Sequence, residues 1–144
     1  MSTFSLHAVK PITAGEGGMI TTDLAVLAQR MRRFRNHGLT RDHRQRSQAG
    51  SWHYEMTELG YNYRMTDVQA ALGVSQMQRL DEFIARRHKI SEQYDELLRD
   101  LPVICPWQHP DSFSGMHLYV IRLELAKIEK THREVFEHMR QADI

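Results

Sequence analysis

Cysteine is almost missing from these 144 residues. The single Cys105 rules out an internal disulfide, which fits a reducing compartment. Long apolar runs are missing too, since none approaches the roughly 18 residues of a membrane-spanning helix. The first residues also lack the charged-then-apolar layout of a secretory leader, so the expected location is the cytoplasm, with no membrane partner. Net charge is as scarce: 19 Lys and Arg against 18 Asp and Glu leave a formal +1, which gives no general pull toward nucleic acid. Metal-ligand spacing is not found among the nine histidines, and no cysteine pair accompanies them, so no metal site is expected. What remains is 41% hydrophobic and 26% charged, the balance of a globular domain or of a piece of a larger one.

Residues 3 to 9, TFSLHAV, are apolar and β-prone and predict a strand. Pro11 then bars regular pairing, Gly15, Gly17 and Gly18 permit a reversal, and MITT (19 to 22) predicts a returning strand. Leu24, Leu27, Met31 and Phe34 recur at helical spacing after Asp23, with Gly38 as a stop. Residues 39 to 60 have no period and read as a long loop carrying Trp52 and Tyr54. Thr66-Asp-Val-Gln69 fits a capping box, and one apolar face then runs from Leu80 to Leu101, giving a helix expected to reach Asp100, bent or acting as a strut, with Gly73 as one candidate bend. Beyond Pro102, VIC predicts a short strand and HLYVIRLEL (117 to 125) a longer one. Thr131-His-Arg-Glu134 opens a last helix with Val135, Phe136 and Met139 inward. The first strand pair lacks partners to complete a sheet, so the architecture looks cut from something larger.

Lys10 stands out because it ends an apolar run with no charge near it until Glu16. A lysine amine is a nucleophile only when neutral, and desolvation in an apolar pocket, which lowers its pKa, is how Schiff-base lysines are activated. A solvated loop charge is the competing reading of the same residue. A second function class also rests on the residues themselves. Arg30, Arg32, Arg33, Arg35, Arg41, Arg44 and Arg46 precede Trp52 and Tyr54, a basic cluster with aromatics of the kind that binds single-stranded nucleic acid. A solvated helix face is the simpler account of those arginines.

Phe4-Ser5-Leu6-His7-Ala8-Val9-Lys10, followed by Ile12-Thr13-Ala14-Gly15-Glu16-Gly17-Gly18, resembles the lysine motif of the DegT/DnrJ/EryC1/StrS aminotransferases. Arg35-Asn36-His37-Gly38, Gly60-Tyr61-Asn62-Tyr63-Arg64-Met65 and Ala70-Ala71-Leu72-Gly73 resemble later segments of the same family, in the same order. Trp52-His53-Tyr54-Glu55 and Leu80-Asp81-Glu82-Phe83 are most similar to its pseudaminic-acid pathway branch, which aminates a UDP-linked 4-keto-6-deoxy-N-acetylhexosamine.

The resemblance implies an α/β fold, a fragment of a fold-type I (aspartate-aminotransferase-like) transferase, helix-rich with incomplete sheets. It implies residues 1–84 as the end of the large cofactor domain, 85–100 as a connecting helix and 101–144 as the start of the small domain. It implies pyridoxal 5'-phosphate as cofactor, bound covalently by the catalytic Lys10, which then moves protons. Ser5 would donate to the cofactor phosphate, and Asn62 would reach the phosphate held by the other subunit of a homodimer. The partners implied are a UDP-linked keto-sugar and an amino donor, usually glutamate, with no nucleic acid. His7 is expected to pack and hydrogen-bond and not to act as a base. Arg64 is expected to pair with a phosphate or, by preference, to serve the fold, while Trp52 and Tyr54 are candidates for the sugar-nucleotide pocket. The family's partner for the pyridine nitrogen lies in its earlier half, so negligible activity is expected of this chain by itself. A non-enzymatic remnant or partner subunit is the alternative.

Overall fold

The computed structural model describes residues 1–40, 47, 48, 50 and 52–144. It divides into two compact units, Met1–Gln78 and Arg79–Ile144.

In the first unit, strands β1 (Ser2–Ser5) and β2 (Gly18–Thr21) form an antiparallel pair in which Phe4 faces Met19 and Ser5 faces Gly18. The pair is a complete sheet among the described residues, so the outer edge of each strand is unpaired. β1 stops earlier than the apolar run suggested. The N–H of Leu6 still donates to the Gly17 carbonyl (2.9 Å), but its own carbonyl is taken by the N–H of Ala14 (2.9 Å) and by Thr13 Oγ1 (3.2 Å). The chain therefore closes on itself between Leu6 and Ala14, and these are the buried apolar residues of the described chain.

Helix α1 (Ala25–Phe34) follows, with Leu27 and Met31 half-buried, and the edge of the Phe34 ring meets Tyr61 at 5.1 Å. Its C-terminal end is clasped by the segment around Asn62: Tyr61 N donates to Phe34 O, His37 N to Tyr61 O and Tyr63 N to Arg35 O. Gly38 and Gly60 make this clasp possible. A Cβ at Gly60 would lie 2.3 Å from Gly38 N, and one at Gly38, where φ is +68°, would overlap the Glu58 carbonyl. Helix α2 (Asp67–Met77) begins at the expected cap, with Thr66 Oγ1 accepting from Gln69 N and the Gln69 side chain accepting from Thr66 N.

The expected continuous helix is interrupted at Gln78–Arg79, not at Gly73. Arg79 leaves helical geometry (φ −110°, ψ 10°), and its guanidinium forks onto both Glu82 oxygens (3.1 Å each) and lies over the Phe83 ring. Gly73 instead stays inside α2, where a Cβ would meet the Ala14 methyl at 3.7 Å.

In the second unit, α3 (Leu80–Leu97) buries Ser91 and half-buries Phe83, Ile84, Arg87 and Ile90. Arg87 Nη1 donates to the Met116 and His117 carbonyls, and His88 Nε2 donates to the Ser114 carbonyl (2.8 Å). Of the strand expected over 117 to 125, only β4 (Arg122–Leu123) pairs, with β3 (Val103–Ile104). Apolar alternation there has no third strand to bond with among the described residues, and the two-residue β3 limits the ladder. Helix α4 (His132–Gln141) starts at the expected Thr131 cap, with Val135 half-buried but Phe136 and Met139 exposed.

The chain exposes 12115 Å² of surface. A compact chain of this length would expose about 7,700 Å², and about 9,300 Å² even as two separate compact halves. Much apolar surface that a self-sufficient domain covers is thus open, including Ile20, Val26 and Val74.

Candidate functional site

Lys10 sits in the turn that the Leu6–Ala14 closure forms, with its N–H donating to the His7 carbonyl (3.0 Å). An i to i+3 bond of this kind turns the chain back after the strand. It bends the chain inside the stretch from 3 to 9 that the sequence predicts as strand. The side chain is half-buried, and its ammonium makes no ion pair among the described residues.

Ser5 ends β1. Its Oγ accepts the N–H of His7 at 3.4 Å, which leaves the hydroxyl proton free to be given to another acceptor. Ser5 and Lys10 are thus tied to each other through one residue, His7. The imidazole hydrogen-bonds within this loop as expected but is exposed, not packed: Nδ1 accepts from Val9 N (3.4 Å) and Nε2 faces Glu16 Oε1 (3.4 Å). Asn62 stands on a different segment. Its backbone bridges to Asn36, and its exposed amide makes no hydrogen bond among the described residues. The structure therefore joins Ser5 and Lys10 in one loop and leaves Asn62 outside it.

Arg64 donates to Asn36 Oδ1, a link within the fold that agrees with the structural role. A groove of about 1060 Å³ in the first unit is lined by the apolar Leu6, Met19 and Met65 and by the polar Arg32, Arg64 and Tyr54 among others. Ser5, Lys10 and Asn62 do not line it, and neither does the exposed Trp52. Of the arginine cluster, Arg41, Arg44 and Arg46 lie outside the described residues, while Arg33 is held by Glu58 at 2.8 Å. No group of three metal-ligating side chains occurs among the described residues, and no described helix is long and apolar enough to cross a membrane.

Two participants were not legible beforehand. Glu16 ties its backbone carbonyl to the Gln69 side chain and its carboxylate to His7. Gln69 was visible only as a cap residue. No pattern in the sequence marks its second contact.

The residues suit a phosphate-bearing aldehyde. Among the described residues they offer an amine without a counter-charge, a serine whose proton has no acceptor and an amide with both donors free, all uncharged or cationic toward a dianion.

The profile of the DegT/DnrJ/EryC1/StrS aminotransferase family matches residues 1–144. The spore coat polysaccharide biosynthesis protein SpsC of Bacillus subtilis is 39% identical over 136 residues, covering 93% of this chain and 35% of that protein. The UDP-4-amino-4,6-dideoxy-N-acetyl-beta-L-altrosamine transaminase of Campylobacter jejuni is 35% identical, over 100% of this chain and 36% of its own length. Among solved structures, the pyridoxal-phosphate form of the Streptococcus pneumoniae putative sugar aminotransferase Spr1654 superposes with a TM-score of 0.82 at 28% identity, over 99% of this chain and 36% of that one. The chain spans between 35% and 38% of the length of the curated relatives it matches. Its architecture is accordingly a segment of the α/β fold of these sugar aminotransferases, helix-rich and with incomplete sheets.

Proposed function

The chain belongs to the DegT/DnrJ/EryC1/StrS aminotransferase family, and from that premise we propose that it is the lysine-bearing segment of a pyridoxal-phosphate-dependent transaminase of nucleotide-linked 4-keto-6-deoxy sugars. The observation that carries the reading is Lys10, half-buried, without an ion pair among the described residues and presented by a closed loop. The UDP-linked sugar is supported by the name of the Campylobacter relative, and the guanidinium groups of the groove suit a diphosphate.

Lys10 would hold the cofactor covalently through its neutral amine and later carry a proton to and from the carbon that gives up or receives the amino group. Pyridoxal phosphate, when bound, supplies the conjugated ring that absorbs the negative charge developing on that carbon. Ser5 gives its free hydroxyl proton to the phosphate. Asn62 gives its amide donors to the phosphate held by a second subunit, and in this reading the protein works as a homodimer. Residues 1–84 then end the cofactor domain, 85–100 connect, and 101–144 begin the smaller domain. The group opposite the pyridine nitrogen comes from outside residues 1–144, so the chain alone is expected to be inactive.

The test uses the complete gene product. Borohydride reduction in the presence of pyridoxal phosphate, followed by peptide mapping, is expected to label Lys10. Lys10→Ala should abolish the label and lower amino transfer from glutamate to the UDP-keto-sugar by roughly 10²–10⁴-fold. Label on another lysine, or on none, overturns the proposal.

A further inference from the structure

The loop that carries Lys10 is held from both sides by two residues to which the family reading gives no part in positioning it. On one side stands Gln69. Its Oε1 accepts from Thr66 N (3.1 Å) and from Thr66 Oγ1 (2.9 Å), and its Nε2 donates to the Glu16 carbonyl (3.2 Å). Both ends of the amide are in use, and the Thr66 N–H donor fixes which end is oxygen. On the other side, each polar group of His7 is engaged: N with Ser5, Nδ1 with Val9, Nε2 with Glu16 and the carbonyl with Lys10. Because Nδ1 accepts an N–H, the neutral ring carries its hydrogen on Nε2, pointing at the Glu16 carboxylate. Glu16 is the shared link, through its backbone to Gln69 and through its side chain to His7.

We infer that Gln69 and His7 are positioning residues for Lys10. Gln69 anchors the lysine loop to the first turn of α2, and His7 sets the turn from which the lysine projects. The catalytic consequence rests on the reading of Lys10 given above; the positioning itself does not.

Residue choice at position 69 supports the inference. A capping box is served by glutamate as well as by glutamine, and glutamate adds a favourable charge at a helix N-terminus. Only glutamine also has an N–H for the Glu16 carbonyl. Gln69→Glu therefore keeps the cap while setting a carboxylate oxygen against a carbonyl oxygen.

The experiment is amide hydrogen exchange on the complete gene product without added cofactor, combined with competitive acylation of its lysines. Gln69→Glu should speed exchange at the Lys10 and Ala14 amides about three- to tenfold, the worth of one hydrogen bond. The Ala70 amide inside α2 should exchange no faster than before. The acylation rate of Lys10 should change relative to that of Lys89, which a role confined to helix stability would not produce. Unchanged loop exchange, or equal acceleration at Ala70, overturns the assignment of Gln69. His7→Asn retains an oxygen that can accept the i+2 amide, whereas His7→Leu does not. Exchange at Lys10 should stay near the parent value in the first and rise severalfold in the second. Equal behaviour of the two variants overturns the assignment of His7. Borohydride labelling at Lys10 is read separately, so failure of the functional reading and failure of the positioning reading are distinguishable.

Discussion

Gly60→Ala puts the clasp around Asn62 to a severe test. The added methyl would stand 2.3 Å from Gly38 N, 2.7 Å from Phe34 O and 2.8 Å from the His37 carbonyl carbon. All three are backbone atoms, so no side chain can swing aside. Ordinary contact begins near 3.4 Å, and the two segments must part by about 1 Å or more to reach it. Parting stretches the bonds from Tyr61 N to Phe34 O (2.7 Å), from His37 N to Tyr61 O (2.9 Å) and from Tyr63 N to Arg35 O (2.9 Å). Loss of two or three such bonds at about 1 kcal/mol each, with about 1–3 kcal/mol for the overpacking itself, predicts a cost of about 3–6 kcal/mol. Gly73→Ala is the internal contrast, because its methyl meets Ala14 at an unstrained 3.7 Å. There the helical preference for alanine should raise stability by up to about 1 kcal/mol. Urea unfolding of the complete gene product, followed by circular dichroism, gives both numbers from the midpoints and slopes. Should Gly60→Ala fall within about 0.5 kcal/mol of the parent, or Gly73→Ala cost as much as Gly60→Ala, the steric reasoning is wrong.

Thr131→Ala removes the oxygen that accepts from Glu134 N and should destabilise α4 by about 1 kcal/mol, read as faster amide exchange at Glu134 and its neighbours. The backbone N–H of Thr131, and then its hydroxyl, hold the Glu134 carboxyl below its ordinary value. A depressed carboxyl adds stability that is complete above its unfolded value, near pH 4.5, and is lost as pH falls through the lower folded value. α4 should therefore begin to fray below about pH 4.5, and Glu134→Gln should shift that onset; an onset unmoved by Glu134→Gln would refute this assignment. In the second unit, partial burial and then the hydrogen bond that Tyr119 donates to Asp95 (2.6 Å) push its phenol above the ordinary value of 10.0. Its contribution is complete below pH 10 and declines as pH rises beyond it. Tyr119→Phe should cost about 1–2 kcal/mol and remove the tyrosine that ionises last in an ultraviolet titration; an unchanged last titration step would count against this placement.

The parts legible in the sequence were those set by neighbours a few residues apart. Thr66 with Gln69 and Thr131 with Glu134 announced their helices because a cap needs only a hydroxyl and an acceptor three residues on. Lys10 was conspicuous for its missing counter-charge. The closure of Leu6 on Ala14 was not legible, since it depends on which carbonyl a buried N–H finds once the chain has turned. The same holds for Gly38 against Gly60, a contact between two loops. The run from 117 to 125 misled for a related reason: alternation gives a segment the capacity to pair, while its extent as strand is set by its neighbour, here the two residues Val103–Ile104. Asn62 could be named from its motif, yet its separation from the Ser5–Lys10 loop is a matter of tertiary structure, set by its pairing with Asn36.

The ribbon of β1 and β2 has a practical consequence. Each strand is four residues long and exposed throughout, and the outer edge of each has no partner strand among the described residues. Produced by itself, residues 1–144 should invite strand-to-strand stacking with other copies, collecting in insoluble form and dissolving on dilution from chaotrope only when kept scarce. Co-production with polypeptide that offers a complementary strand should bring it into the soluble fraction, which makes solubility itself a simple screen for whatever normally lies alongside.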